Sequence, residues 1–282
     1  MNMSRILPAA VTALLFLTLF CTAAEAQDFR IYTRLYDHSM TPAADQPRER
    51  IPVASRSLTL FHAGKVYDWI SEIGEVIIFD PSHRRFLILN TSRKISTTVE
   101  FEQLRQMLKI ASEVARERVD ELRNDSNGLT EAAAAIEFQL TPQFAEKIEG
   151  DGQRLSLTSG FLQYRAQCAK APEPEIGAAY YDYADWMCRL NYVLHPQTLL
   201  PGPRLMLNQS LRQQGLLPTD VELRTEFEPR LHFEAEHTIH WKLDTSDRSL
   251  IHLWESRLRS DDVRQLSFRD YQRTVLGTTA EQ

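Results

Sequence analysis

Leu231 to Leu243 alternates along its length. Leu231, Phe233, Ala235, His237, Ile239, Trp241 and Leu243 fall on one face, and His232, Glu234, Glu236, Thr238, His240 and Lys242 on the other. Successive side chains of a strand point to opposite faces, so the pattern predicts a half-buried strand. Asp28 to Tyr36 alternates in the same way, with Phe29, Ile31, Thr33 and Leu35 together. Ser57 to Ile70 reads as a hairpin turning at Ala63-Gly64. Glu75–Phe79 and Arg85–Leu89 read as a second hairpin, turning through Asp80-Pro81-Ser82-His83. Thr41 to Pro52, with three prolines, reads as a surface loop.

The period then changes. Phe101, Leu104, Leu108, Ala111, Ala115 and Leu122 recur at helical spacing, joined by Met107, Val114 and Val119. Thr97-Thr98-Val99-Glu100 matches a capping box that would open this helix, and Asn127-Gly128 would end it. Such a stripe predicts a face turned to the core. Strands are expected near 134–140, 144–148, 153–158 and 161–168, the first with a helical alternative because of its alanines. Ile176 to Leu194 predicts a helix with Tyr180, Tyr183, Met187, Leu190 and Leu194 on one side. A proline-rich connector leads to a short helix over Leu205–Gln214, closed by Gly215. Val221–Phe227 and Leu250–Leu258 are expected as strands, and Ser267-Phe268-Arg269-Asp270 as the cap of a last short helix. Tight hairpins imply antiparallel pairing. Strands grouped apart from helices imply an α+β fold: a large curved antiparallel sheet carrying two long helices and shorter ones.

The extreme N-terminus has a different character. Arg5 precedes an apolar run from Ile6 to Phe20, and Ala24-Glu25-Ala26 follows. A basic start, a short apolar stretch and a small-x-small site predict a secretory signal peptide over 1–26, removed after Ala26. The run is too short to cross a bilayer easily, a crossing that takes roughly 20 residues. A single α+β domain over 27–282, exported to the periplasm or the outside and not inserted in the membrane, is the expected product. Cleavage removes one base and one acid, so the formal net charge of −6 is unchanged. Mild acidity argues against a nucleic-acid partner, whose phosphates call for a basic face.

Cleavage also removes Cys21 and leaves Cys168 and Cys188. In an oxidising compartment the pair is expected to form a disulfide, closing a loop of about 20 residues worth roughly 3 kcal/mol. Two buried free thiols are the alternative. The spacing fits no zinc or redox motif.

Candidate chemistry is sparse. His237 stands alone on an apolar strand face, and is expected as a buried core histidine or as a pH-sensitive or ligand-contacting group in a pocket. His232, Glu234 and His240 share the polar face, but alternate strand residues stand about 7 Å apart, too far for easy convergence on one ion. No metal and no cofactor is expected. Tyr180 to Trp186 is dense in aromatics; Tyr181, Asp185 and Tyr192 could offer a surface to a sugar or peptide, with core packing as the plainer reading. No GxSxG elbow, HExxH or P-loop occurs. The catalytic residues, if any, remain unknown at this level, though dispersed carboxylates could form an acid–base pair.

In element order, hairpins with covering helices behind a signal peptide are similar to the periplasmic half-barrels that carry lipids and lipoproteins. The likeness rests on no motif. The expectation is an exported, non-enzymatic binding protein for an apolar small molecule or lipid. The alternatives are an interaction protein with a filled core, or a carboxylate hydrolase.

Overall fold

The computed structural model describes residues 28–38, 51–125 and 130–277. The signal segment, most of the 41–52 loop and Asn127-Gly128 lie outside them. The strands are β1 (Phe29–Asp37), β2 (Val53–His62), β3 (Lys65–Ile70), β4 (Glu75–Asp80), β5 (Arg85–Asn90), β6 (Ile95–Glu100), β7 (Ala145–Glu149), β8 (Arg154–Thr158), β9 (Leu162–Lys170), β10 (Leu216–Thr225), β11 (His232–His240) and β12 (Arg264–Gln265). The helices are α1 (Phe101–Asp125), α2 (Glu131–Leu140), α3 (Pro174–Leu194), α4 (Gly202–Gln213), α5 (Thr245–Leu258) and α6 (Phe268–Leu276).

All strands join one sheet in the order β12-β6-β5-β4-β3-β2-β1-β11-β10-β9-β8-β7. Every pairing is antiparallel except β12 with β6. The α+β expectation therefore holds. Two meanders, β2 to β6 and β7 to β10, are joined through β1 and β11. Both expected hairpins form. Ala63 and Gly64 take φ of +50° and +74°, the left-handed pair that a tight two-residue hairpin turn requires.

Both sheet faces are covered over part of their area. One face of β4, β5 and β6 carries Ile77, Phe79, Phe86, Ile88 and Val99, which pack with Phe101 and Leu104 of α1 and with α3. The opposite face carries Leu60, Tyr67, Val76, Ile78 and Leu89 against Ile251 and Trp254 of α5. Arg30 of β1 anchors α5 by pairing with Asp244 at 2.7 Å and Asp247 at 3.0 Å.

Several expectations are corrected. Thr97-Thr98-Val99-Glu100 is strand β6, and α1 begins at Phe101. Ile95, Thr97 and Val99 turn inward together, and alternation with β-branched residues outweighs the cap signature. The predicted α1 stripe is only partly buried: Phe101, Leu104 and Val119 are covered, whereas Val114 is 57% exposed. Residues 131–140 are helical, the alternative reading, with Thr130 accepting from the Ala133 amide as N-cap. Leu250–Leu258 is not a strand but the end of α5. Asp244 and Asp247 form a reciprocal capping box in which each carboxylate accepts from the other's amide at 2.9 Å.

The expected Cys168–Cys188 bridge is not formed. Both are free thiols. The Cys168 thiol donates to the Ala166 carbonyl at 3.7 Å and the Cys188 thiol to the Asp185 carbonyl at 3.3 Å, so each sulfur is turned to its own element.

Candidate functional site

A cavity of about 640 Å³ lies between the middle of the sheet and helices α3 and α4. Its floor follows from strand register. Ser57 of β2, Thr33 of β1 and His237 of β11 stand in one cross-strand row. Ser55, Leu35, Ala235 and Val221 form the next, across β2, β1, β11 and β10. Asp68, Thr59 and Ile31 form a third, across β3, β2 and β1. Because side chains alternate, each row presents its members to the same face. These are the same apolar-facing positions that alternation singles out in β1 and β11.

The roof follows from helical spacing. Tyr180, Tyr183, Ala184, Met187, Cys188 and Asn191 line the cavity from one stripe of α3. Leu190 and Leu194, expected on the same side, are buried elsewhere in the core. The connector from Gln197 to Pro201 closes the roof. It is pinned by α2: the Gln139 side chain accepts from the Leu200 amide at 3.0 Å. Gly202 follows, packed so tightly that an added Cβ would sit 2.3 Å from the Gln139 carbonyl oxygen.

The wall is mostly apolar, with two polar ends. At one, Asp68 is buried and accepts from the Thr59 hydroxyl at 2.8 Å. Burial pushes its carboxyl above the ordinary carboxylate range, against hydrogen bonds from Thr59, Tyr183 and Ser57 that favour the anion. Burial likewise holds the Tyr183 phenol far above its usual value.

At the other end stand His237 and Arg204. The His237 Nδ1 lies 2.8 Å from the Thr33 hydroxyl, while its buried Nε2 has no hydrogen-bond partner among the described residues. Burial, aided by the charge of Arg204 and opposed by Glu236, depresses its pKa to about 4. The ring is therefore neutral at pH 7. Arg204, on the first turn of α4, keeps part of its surface on the cavity while protein packs densely round its charged head. Its Nε donates to Asn208 Oδ1 at 3.0 Å, and Asn208 donates in turn to Asp185 Oδ1 at 2.9 Å. Asp185 is itself paired with Arg212 at 2.8 Å. A neutral amide thus stands between Arg204 and the nearest acid in this chain of bonds. Among the described residues no carboxylate forms an ion pair with Arg204.

His237 is thus the one sequence-singled histidine that faces a cavity. His232, Glu234 and His240 are not brought together. His232 bonds Glu222 at 2.8 Å, Glu234 accepts from His38 at 2.9 Å, and His240 is exposed at the far end of β11. Among the described residues no cluster of metal-binding side chains occurs. The aromatic segment does not form a gripping surface: Tyr181 is 1% exposed and its hydroxyl bonds the Leu216 carbonyl. Trp186 stacks on Phe101 with ring centroids 3.9 Å apart.

Arg204 and the β2 hydroxyls Ser55, Ser57 and Thr59 were not singled out by sequence. For Arg204 a signal existed. Leu207, Asn208 and Leu211 are buried on α4, and Arg204 precedes them by helical steps on the same face. The expected helix, opening at Leu205, falls one residue short of it.

Serine, histidine and aspartate all line the cavity, but not as a triad. Ser57 bonds Asp68, whereas His237 bonds Thr33, and a base with a pKa near 4 is weakly basic. Asp68 is the single carboxylate among the described lining residues, so no acid–base pair forms there. A second depression of about 840 Å³ between α1, α2 and the β8–β9 turn is edged by charged groups, with Arg123 and Glu137 paired at 2.6 Å. In comparison with known proteins, no family model and no curated protein matches the chain.

Proposed function

We propose that this is an exported, non-enzymatic binding protein whose ligand is apolar and held between the sheet and helices α3 and α4. The observation that carries the reading is the cavity of about 640 Å³, whose size falls among ordinary small-ligand sites and whose wall is mostly aliphatic and aromatic. A filled core, as in a purely structural protein, would leave no such space. A hydrolase reading loses support because a single carboxylate reaches the lining and His237 lacks an orienting acid. Export rests on the N-terminal pattern of a basic residue, apolar run and Ala24-Glu25-Ala26. Among the described residues no helix is long and apolar enough to cross a membrane.

Native mass spectrometry of protein purified from its own cell, followed by organic extraction, tests both parts. An apolar molecule released on denaturation and a mature N-terminus at Gln27 are expected. A clean polypeptide mass, together with failure to bind the neutral apolar dye Nile red, would overturn the binding reading. A retained Met1 would overturn cleavage.

A further inference from the structure

Arg204 presents a cation to a mostly apolar cavity, and among the described residues no carboxylate pairs with it. A guanidinium keeps its proton in any protein environment, so the charge cannot be relieved by deprotonation. Burying a charge is costly unless it is paired. The surrounding groups do not pair it. Asn208 is neutral, and the Asp185 carboxylate behind it is already engaged by Arg212. Tyr180, which also bonds Arg204, and Tyr164 are buried phenols held protonated by desolvation. His237, close enough to feel the guanidinium's charge, is neutral. Its Nε2 is buried with no partner among the described residues, an unfilled hydrogen-bonding position of the kind that native interiors seldom leave.

Building on the binding reading above, we propose that the ligand is an amphipathic anion: an oxyanion head pairs with Arg204 beside Tyr180 and His237, and a single apolar chain fills the rest of the cavity. Arg204 supplies the charge and several donors. The Tyr180 hydroxyl supplies another. His237 donates from Nε2 in the tautomer whose Nδ1 accepts from the Thr33 hydroxyl. A cation would be repelled by the same site, and a neutral head would leave Arg204 unpaired. At the opposite end, Asp68 is held toward its neutral form by burial, so the apolar tail meets little opposing charge there.

Three ligands of one chain length distinguish the outcomes: dodecanoate, dodecyl phosphate and dodecanol, each titrated below micelle formation as competitors of Nile red on the intact protein. At least one of the anions is expected to bind about tenfold or more tighter than the alcohol, the effect of one charge-assisted hydrogen-bonded contact. Which anion binds more tightly identifies the head as carboxylate or phosphate. Arg204→Gln is expected to bring the anion-to-alcohol ratio close to one, and Arg204→Lys to restore part of it. Equal binding of anions and alcohol to the unaltered protein overturns the anionic head while leaving the apolar-binding reading intact. Absence of binding by all three and by the dye overturns both. The unaltered protein alone decides between these outcomes, so a poorly folding Arg204 variant does not obscure the result.

Discussion

His237 and Thr33, on neighbouring strands, share a hydrogen bond of 2.8 Å that holds the imidazole by Nδ1 and leaves Nε2 buried with no partner among the described residues. The arrangement makes acid a specific threat to the fold. Its native pKa of about 4 lies below the ordinary value of 6.5, so the unfolded chain binds the extra proton first as pH falls. The contribution of neutral His237 is complete above about pH 6.5 and is lost as pH falls toward 4. Urea midpoints measured across that range should decline in the unaltered protein and decline less in His237→Gln. Parallel profiles would show that His237 is not the titrating group.

The cysteines should behave as buried thiols. Burial pushes both to about 11, which keeps them protonated and slow to react at neutral pH. For the chain beginning at Gln27, labelling without reductant should find two thiols after denaturation and slow reaction before it. Cys188 lines the cavity, so a bound ligand should slow its labelling further. No reactive thiol in denaturant without reductant would instead establish a bridge.

Gly202 is expected to reject a methyl group. A Cβ there would meet the Gln139 backbone carbonyl at 2.3 Å, and backbone cannot swing aside as a flexible side chain can. Gly202→Ala should lose about 1–3 kcal/mol of stability, as overpacked sites do. Gly160→Ala, which meets nothing within 4 Å, is the control and should show little change in the urea midpoint.

Tyr271 donates to the buried Glu75 at 2.5 Å, tying α6 to β4. Tyr271→Phe keeps the ring and removes the donor, leaving a buried carboxyl short of a partner. A loss of about 1–3 kcal/mol is expected. Because burial raises the Glu75 pKa, the deficit should grow as pH rises and this carboxyl ionises. A midpoint unchanged at pH 8 would argue against the bond.

Where one face is apolar over a whole strand, alternation was enough to place residues: Ile31, Thr33, Leu35, Phe233, Ala235 and His237 all point to the cavity as their period dictates. The failures have local causes. T-x-x-E in β6 has the letters of a cap, but Thr97 and Val99 fit the inward face of a pleated strand. α5 hid behind Leu250 and Leu258, while its start was written in Asp244 and Asp247, an acidic version of the capping box. Arg204 shares the helical spacing of Leu207 and Leu211, but an arginine in a short helix is ordinarily a solvated residue, and the fold reveals that its turn faces a mostly apolar cavity.

The sheet order has a consequence for how that chamber comes into being. β1 is the earliest of the described strands to leave the ribosome, yet it lies between β2 and β11, and Thr33 is 204 positions from His237. One side of β1 therefore waits, with its edge open, while nearly the whole polypeptide is made. Contacts so distant in sequence close slowly. The cavity floor is completed only when β11 pairs with β1, the same pairing that fuses the two meanders, and a nascent chain halted before β11 lacks that floor.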